Sequence, residues 1–387
     1  MDRKNIYIAI LAAIVVIAVV AAAFTMTNDG AKRTDYTGEW TLDSCTVMSE
    51  DGTVSTDKTG FMNLSIDKVE GELFLAKFID GDKNFVFTGS IEGNSLYAEF
   101  DMNGEYLVIC GTFMNSDVLM FNATSIIAGD DEDAAVGTIG YVRNGAVFDA
   151  GTVADLKGNV YDDGKVRIMV DGVASEHTGK VTVTKQVGRC LLLSNLYNGD
   201  ISRKALAIIY DGDGTSYNGM LVSINGDDPN VYGEIAISEN TLISAKASVA
   251  SSGKTLSVYE LYGTGDLVCP DVSGKAWSLV AHQELYTDGT YVTHNDLLRI
   301  TVTSQDGISV GGTMISNDGR ESTFAGWIQK EADGTYVLTA DSWVKGTDVY
   351  NNTIIIEFDG NMGSGKLFRY MGTQTSTMTG TVTMDNA

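Results

Sequence analysis

Most of the chain consists of short runs in which apolar and polar residues alternate, and each run ends at a turn rich in Gly, Asn or Asp. In one such run Leu64 and Ile66 alternate with Ser65 and Asp67 before a turn at Gly71. A period of two is typical of a strand with one buried face. Turns of a few residues between neighbouring strands indicate antiparallel hairpins. The pattern therefore predicts an all-β chain.

The first and last thirds of the chain repeat one pattern in nearly constant register. Trp40 matches Trp277 at an offset of 237 residues, and Gly71 matches Gly307 at an offset of 236. The middle third follows the same order more weakly, with Gly188 matching Gly71 at an offset of 117. Self-similarity of this kind is the sequence signature of repeated structural units. We therefore expect three β units, at residues 36–149, 150–270 and 271–387.

Each unit is long enough for a small closed barrel. Unit 1 contains about eight alternating segments in some 110 residues, joined by short turns. Eight antiparallel strands in sequence order can close into a meander barrel, which removes the exposed edges of the sheet. Tandem β-sandwich modules are the alternative. A propeller needs repeats of about 40–50 residues, which these units exceed.

Units 1 and 3 open on a similar short motif. It reads Gly38-Glu39-Trp40 in unit 1 and Gly274-Lys275-Ala276-Trp277, with one residue more, in unit 3. A G-x-W strand followed by an eight-stranded meander resembles the lipocalin and avidin barrels. The resemblance implies that each tryptophan lies across one end of a barrel and packs its interior. Unit 2 has Tyr161 near that place.

The N-terminal segment from Ile6 to Phe24 contains 19 residues without a charge. At 1.5 Å per residue a helix of this length spans ~28 Å, close to the hydrocarbon thickness of a bilayer. Arg3 and Lys4 precede the segment, so the short N-terminus should stay inside and the rest should be exported. We expect a transmembrane anchor in residues 1–27.

This reading defines the topology of the whole chain. Residues 28–35 form a polar tether, and the three units then face outward from a single-pass protein of the cell membrane. Cleavage is the alternative, because Ala21 and Ala23 offer the small-residue pattern of a secretory signal, and the chain would then be secreted.

The charge of the chain restricts its partners. Asp and Glu number 51 against 26 Lys and Arg, for a net charge of −25. Such a surface repels phosphate backbones, so nucleic acid is excluded as a partner. We expect the membrane, through residues 6–24, and an extracellular ligand or surface polymer of unknown identity.

Two tryptophans of unit 3 are candidate ligand-binding residues. Trp327 stands where unit 1 has Ser90, and Trp343 is a second addition. In the same strand Phe324 and Ile328 share one face while Trp327 points to the other. Aromatic side chains on a face that is small in the sister unit favour a contact with a ligand or partner. Packing of unit 3 against unit 2 is the alternative.

Acidic turns precede the aromatic-x-Gly strand of the units. In units 1 and 2 they contain Asp80, Asp82, Asn84, Asp211 and Asp213. The alternating oxygen ligands resemble the start of a calcium loop, but the Gly at position 6 and the Glu at position 12 are missing. Because Asp, Asn and Gly are also what tight turns require, we favour plain turns, with calcium as the alternative.

Signals of catalysis are weak. The three histidines, His177, His282 and His294, show no nucleophile context and no zinc signature, and no phosphate loop is present. Carboxylate pairs such as Glu99 and Asp101 could serve a glycosidase, yet pairs are expected by accident among so many acidic residues. We expect no enzyme and no cofactor. The predicted function is binding, with a structural envelope spacer or an extracellular carbohydrate-active enzyme as alternatives.

The cysteines allow two interpretations. Cys45 and Cys110 fall in unit 1, while Cys190 and Cys269 fall in unit 2. Outside the cell this distribution suits one disulfide in each of these units. Free buried thiols fit the sequence equally well.

Overall fold

The computed structural model describes residues 35–386 apart from short gaps. The gaps are residues 82, 103–104, 128–132, 171, 200, 213–215, 225–230, 239–241, 252–253, 263–268, 296–297, 317–318, 331–333, 346–349 and 372–373. The expected anchor (1–27) and all of the tether except Asp35 lie outside the described residues. In the part that is described, no helix has the length and apolar character needed to cross a membrane.

Barrel 1 is an antiparallel meander that closes on itself. Its first strand pairs with the last strand over most of its length, and its two halves pair with β3 and with the short β2. The strands are β1 (Gly38–Ser49), β2 (Val54–Ser55), β3 (Asn63–Glu70), β4 (Leu73–Asp80), β5 (Lys83–Glu92), β6 (Ser95–Met102), β7 (Glu105–Asn115), β8 (Val118–Ile127) and β9 (Asp133–Val142).

Barrel 2 is a closed meander of eight strands, in which the first strand also pairs with the last. The strands are β10 (Val160–Val170), β11 (Val173–Val187), β12 (Cys190–Tyr197), β13 (Ile201–Gly212), β14 (Ser216–Ile224), β15 (Val231–Ser238), β16 (Leu242–Ser251) and β17 (Lys254–Tyr262).

Barrel 3 repeats the topology of barrel 1, including the short second strand. The strands are β18 (Lys275–Tyr286), β19 (Tyr291–His294), β20 (Leu298–Asp306), β21 (Ser309–Ile315), β22 (Glu321–Lys330), β23 (Tyr336–Val344), β24 (Tyr350–Asp359), β25 (Met362–Met371) and β26 (Gln374–Asn386). Every element of the described residues is a β-strand, and without the short β2 and β19 each barrel wall has eight strands, so the prediction of closed, all-β barrels of about eight strands is confirmed for this part of the chain.

Each barrel encloses its own apolar core. Trp40 and Trp277 have no exposed surface and belong to the interior clusters of barrels 1 and 3. This is the place that the resemblance to lipocalin and avidin barrels implies. In barrel 1 the interior is rich in aromatic rings, with Phe87 stacked on Phe100 at 4.4 Å between centroids.

The turns that the repeat brought into register have the same backbone conformation. Gly71, Gly188 and Gly307 have φ of +60°, +56° and +56°. Each lies in a two-residue turn between strands that pair up to the turn itself. Glycine is favoured there because a side chain strains a backbone with positive φ.

Barrels 1 and 2 contact each other through an apolar surface. Met48 and Val136 of barrel 1 share a buried cluster with Leu206 and Met220 of barrel 2. Cys190 lies in the same cluster, with its sulfur 3.7 Å from the carbonyl oxygen of Val136. Removal of this apolar area from water stabilises the contact.

Barrels 1 and 3 contact each other through a more polar surface. The carboxylate of Glu99 accepts hydrogen bonds from the hydroxyl groups of Tyr97 and Tyr106 of its own barrel and from that of Thr353 of barrel 3. Lys366 also donates to Glu92 across the contact, at 2.7 Å. Glu99 is therefore a buried carboxylate whose partners come from both barrels.

Barrels 2 and 3 meet where β16 and β17 lie against β21, β22 and β23. Arg167 of β10 forms an ion pair of 2.8 Å with Asp306 at the end of β20. Each barrel therefore contacts the other two, and the three form a compact cluster.

Candidate functional site

Barrel 3 is apolar inside near Trp277 and polar inside at the opposite end. Along four strands the inward face continues from a core residue to a polar one. These steps run from Ala340 to Ser342, from Ile354 to Asn352, from Leu367 to Arg369 and from Met378 to Ser376. Side chains two residues apart on a strand share one face, so the four polar side chains line the barrel interior.

The first strand adds to the same end because of a β-bulge. Trp277 and Leu279 face the core, and the register of β18 against β26 then shifts between Leu279 and His282. After the extra residue, the side chains that would have faced outward face inward. Glu284 consequently lies opposite Met378 of the core and faces inward.

His282 and His294 are direct neighbours across a hairpin. They pair between β18 and β19, and their imidazole rings stack with 4.8 Å between centroids. The hairpin turn is held by Asp288, which accepts a hydrogen bond of 2.8 Å from the backbone N–H of Thr290. The pKa of the Asp288 carboxyl is lowered mainly by the hydrogen bond from the Thr290 side chain, and next by the one from the Thr290 backbone.

Glu284 is the centre of this group. Its Oε2 lies 2.8 Å from Nε2 of His294 and accepts a hydrogen bond of 2.7 Å from the hydroxyl of Tyr286. Its Oε1 accepts a hydrogen bond from Ser376 and lies 3.3 Å from Nη1 of Arg369. The carboxylate is thus fixed on both oxygens while only 2% of its side chain is exposed.

We define the polar end of barrel 3 by these side chains. They are His282, Glu284, Tyr286, His294, Ser342, Asn352, Arg369 and Ser376. Ser342 and Asn352 are fully buried and hydrogen-bond to each other at 3.2 Å. The side chains of Arg369 and His294 remain 20% and 25% exposed, so the group is in contact with solvent at these two residues.

The matching positions of barrel 1 are largely apolar. Pairing the strands outward from Trp40 and Trp277 places Phe100 at the position of Ser342 and Leu107 at that of Asn352. Val47 likewise takes the position of Glu284. The other five positions correspond as follows: His282 to Cys45, His294 to Asp57, Tyr286 to Ser49, Arg369 to Ser125, and Ser376 to Ala135. The buried ionic group is therefore a difference between two barrels of the same topology.

The two candidate tryptophans lie on the outer wall of barrel 3. Trp327 is only 4% exposed and packs with Ile308 and Cys269, on the strand that faces β16 and β17 of barrel 2. Trp343 is half-buried on β23. Neither belongs to the polar end, and the position of Trp327 fits the packing alternative better than a ligand contact.

The acidic turns occupy hairpin ends. Asp80 pairs with Lys83, which leaves a two-residue turn with Gly81 at φ +56°. Asp211 lies near the end of β13, and its carboxylate accepts a hydrogen bond from the backbone N–H of Gly212 at 2.7 Å. Asn84 lies in β5, while Asp82 and Asp213 lie outside the described residues.

All four cysteines are free thiols, so neither Cys45–Cys110 nor Cys190–Cys269 is joined. Cys45 donates to the carbonyl oxygen of Asp57, and Cys110 lies 3.4 Å from the sulfur of Met220 in barrel 2. Burial raises the pKa of Cys190 and of Cys269 to about 12, which keeps both thiols protonated.

Sequence reasoning missed the association of His282 and His294. Both lie six residues from Asp288, so a hairpin centred on the Asp288-Gly289 turn pairs them. That symmetry was a usable signal. No such signal in the sequence shows that Glu284 points inward, because its direction depends on the bulge.

Comparisons with known proteins leave the family open. No protein-family model matches the chain. No curated protein matches it either. A solved protein of unknown function from the DUF3598 family of Nostoc punctiforme PCC 73102 is similar over 60% of this chain and 97% of its own, at 11% identity and a TM-score of 0.23.

A second solved structure is a tryptophan-to-alanine mutant of the vaccine antigen Transferrin Binding Protein B from Haemophilus parasuis Hp5. It is similar over 92% of this chain and 76% of its own, at 9% identity and a TM-score of 0.20. A double mutant of the same antigen is similar over 89% of this chain and 75% of its own, at 10% identity and a TM-score of 0.19. These scores are too low for the likeness to carry an argument about function.

Proposed function

We propose that the protein binds a small polar ligand at the cell surface, through the polar end of barrel 3, without converting it chemically. The observation that carries the proposal is the buried group around Glu284 and Arg369 in a barrel whose sister has apolar side chains at most of those positions. Burying charged groups costs stability, and barrel 1 closes without them. A function at this end accounts for that cost.

The chemistry of the polar end indicates the kind of ligand. The polar end offers hydrogen-bond donors from Arg369, the amide of Asn352 and the hydroxyl of Tyr286, and an acceptor from Glu284. The positive charge of Arg369 and the negative charge of Glu284 lie close together. Such a mixed set suits a ligand with its own charged and hydrogen-bonding groups. Ligand sites also lie preferentially in the mouths of β-barrels.

The location is the second part of the proposal. Residues 6–24 hold the chain in the cell membrane and the barrels face outward. Expression of the full chain and of a chain that begins at residue 28, followed by membrane fractionation, tests this part. We expect only the full chain in the membrane fraction. A soluble, N-terminally processed full chain would contradict the anchor and support secretion.

The ligand test uses barrel 1 as its guide. Ser342→Phe with Asn352→Leu installs the residues of barrel 1 and fills the polar end. A panel of glycans, amino acids, organic anions and surface proteins is screened by thermal unfolding of the wild type and the double variant. A ligand at 100 times its Kd adds about 2.7 kcal/mol to stability. We expect stabilisation of the wild type alone.

Two results would overturn the ligand proposal. One is a panel without any stabilising compound, and the other is a compound that stabilises both proteins equally. Far-UV circular dichroism of the double variant serves as the folding control, because overpacking alone costs about 1–3 kcal/mol.

The two other functions have less support. A spacer gains length from extended modules, whereas these barrels each contact the other two. A glycosidase needs two carboxylates free to act on a sugar, whereas Glu99 is held by three hydroxyl groups between barrels 1 and 3.

A further inference from the structure

We propose that His282, Glu284 and His294 bind one divalent transition-metal ion at the polar end of barrel 3. This inference rests on the proposed function, since it assigns the ion to the same site and gives the ligand a point of attachment. Neither histidine lies in a zinc-binding sequence motif, and the fold alone brings the three side chains together.

The geometry of the three donor atoms fits one ion. One nitrogen of each imidazole and one oxygen of Glu284 lie within 4.8 Å of one another. Zinc bonds to nitrogen and oxygen of about 2.0–2.2 Å place tetrahedral donor atoms roughly 3.3 Å apart. The largest separation that the three donor atoms can have, 4.8 Å, therefore exceeds this spacing by about 1.5 Å.

The surroundings of Glu284 already orient it for this role. Ser376 and Arg369 engage Oε1, while Oε2 is directed at His294 and accepts a hydrogen bond from Tyr286. Hydrogen bonds to the far oxygen of a ligating carboxylate are typical of metal sites, where such partners hold the ligand in position. Of the three ligands, Glu284 and His282 are more than nine-tenths buried, so little water needs to be displaced.

The donor types select the ion. Two imidazoles and one carboxylate suit Zn²⁺, Ni²⁺ or Cu²⁺, whereas Ca²⁺ and Mg²⁺ require sets made of oxygen. Three protein ligands leave a fourth position for water or for a donor atom of the bound ligand. The positive charge of Arg369 beside the site favours an anionic donor there.

The experiment uses the full-length chain in detergent, stripped with EDTA and then freed of it. Zn²⁺ is titrated by calorimetry, Ca²⁺ and Mg²⁺ are compared, and Co²⁺ provides a visible spectrum that separates nitrogen and oxygen ligands from thiolates. The variants are His282→Ala, His294→Ala and Glu284→Gln. His177→Ala is the matched control, because His177 is a half-buried histidine on a hairpin of barrel 2.

We expect one Zn²⁺ per chain, with affinity lowered at least about 10-fold by each variant of the three ligands and unchanged in His177→Ala. His294 lies on the short β19, and far-UV circular dichroism of metal-free His294→Ala checks that this variant is folded. The inference is overturned by absence of stoichiometric binding, by binding that survives His282→Ala and His294→Ala, or by a Co²⁺ spectrum typical of thiolate ligands.

The experiments distinguish the metal-site proposal from the ligand-binding proposal. Compounds that stabilise the wild type in the presence of EDTA, with no Zn²⁺ bound in its absence, would overturn the metal site and keep the proposed function. Stoichiometric Zn²⁺ that depends on His282 and His294, without any stabilising compound in the panel, would keep the metal site and overturn organic-ligand binding.

Discussion

Replacing Trp327 with alanine removes a large side chain from the contact between barrels 2 and 3. The indole is 96% buried on the outer face of β22, next to Ile308 and Cys269. A buried tryptophan removes about 150–250 Å² from water, which at about 25 cal/mol per Å² corresponds to ~4–6 kcal/mol as an upper bound. Truncations of this kind cost about 3–5 kcal/mol. We expect a loss of about 4 kcal/mol.

Hydrogen exchange followed by mass spectrometry is the appropriate assay, because three packed barrels need not unfold in one step. A loss of about 4 kcal/mol raises the opening equilibrium on the order of 10³-fold, at 1.36 kcal/mol per factor of ten. The effect should appear in peptides from β21–β23 and from β16–β17, which lie against each other. Peptides from barrel 1 should exchange as in the wild type.

Trp343→Ala is the matched control. Trp343 is half-buried one strand away, so its truncation should cost about half as much. The reasoning is refuted if β22 exchanges equally in Trp327→Ala and the wild type, or if Trp343→Ala has the larger effect. Either result would remove Trp327 from the barrel contact and restore it as a candidate for binding an external partner.

Two further predictions concern buried groups at the other contacts. Glu99→Ala removes an acceptor that three hydroxyl groups share, of which that of Thr353 is also placed near Asp341, at 3.1 Å, and should destabilise the contact of barrels 1 and 3 by about 3 kcal/mol in urea unfolding, while Glu99→Gln should cost less. The exposed Glu39 of the same barrel provides the control, and an equal effect of Glu39→Ala would contradict the assignment. Burial raises the pKa of Cys190 to about 12 from a usual 9.0, so the unfolded chain loses this proton first as the pH rises. Stability from this group is complete below pH 9.0 and is lost between pH 9.0 and about 12, by about 1 kcal/mol at pH 10. Cys190→Ala should reduce the fall in unfolding free energy between pH 8 and pH 10 by that amount, and an unchanged slope would refute the shift.

Much of the architecture could be predicted from the sequence because its signals are local. The alternation of residues such as Leu64 and Ile66 specifies strands, and Gly71, Gly188 and Gly307 mark turns whose backbone disfavours other residues. Short connections then leave an antiparallel meander as the simplest arrangement. Barrel closure follows from the eight strands, since closure satisfies the two edges.

The packing of the barrels against one another could not be predicted in the same way. The alternating pattern shows which face of a strand is buried inside its own barrel. It does not show which part of the outer wall another barrel covers. Trp327 illustrates the difference: its outward direction was predicted correctly, but not its burial on the strand β22, which lies against β16 and β17.

The polar end of barrel 3 could not be predicted because one extra residue in β18 changes which side chains face inward. Plain alternation from Trp277 and Leu279 places His282 and Glu284 outside the barrel, where charged side chains are unremarkable. The bulge before His282 moves both inside. Bulges have no reliable signature in a single sequence, so the burial of these two side chains could not be predicted from the alternating pattern.

The bulge also bears on why these residues are present. Barrel 1 has a register shift at the matching place, between Leu42 and Ser44, so the bulge belongs to the repeated unit and did not arise for the site in barrel 3. What differs is the side chains that the bulge turns inward, Cys45 and Val47 in one barrel and His282 and Glu284 in the other. A carboxylate and an imidazole at such positions stabilise a fold less than apolar side chains do. Departures from the locally stable choice are expected where a protein binds something, and the buried carboxylate and imidazole therefore favour barrel 3 as the binding unit.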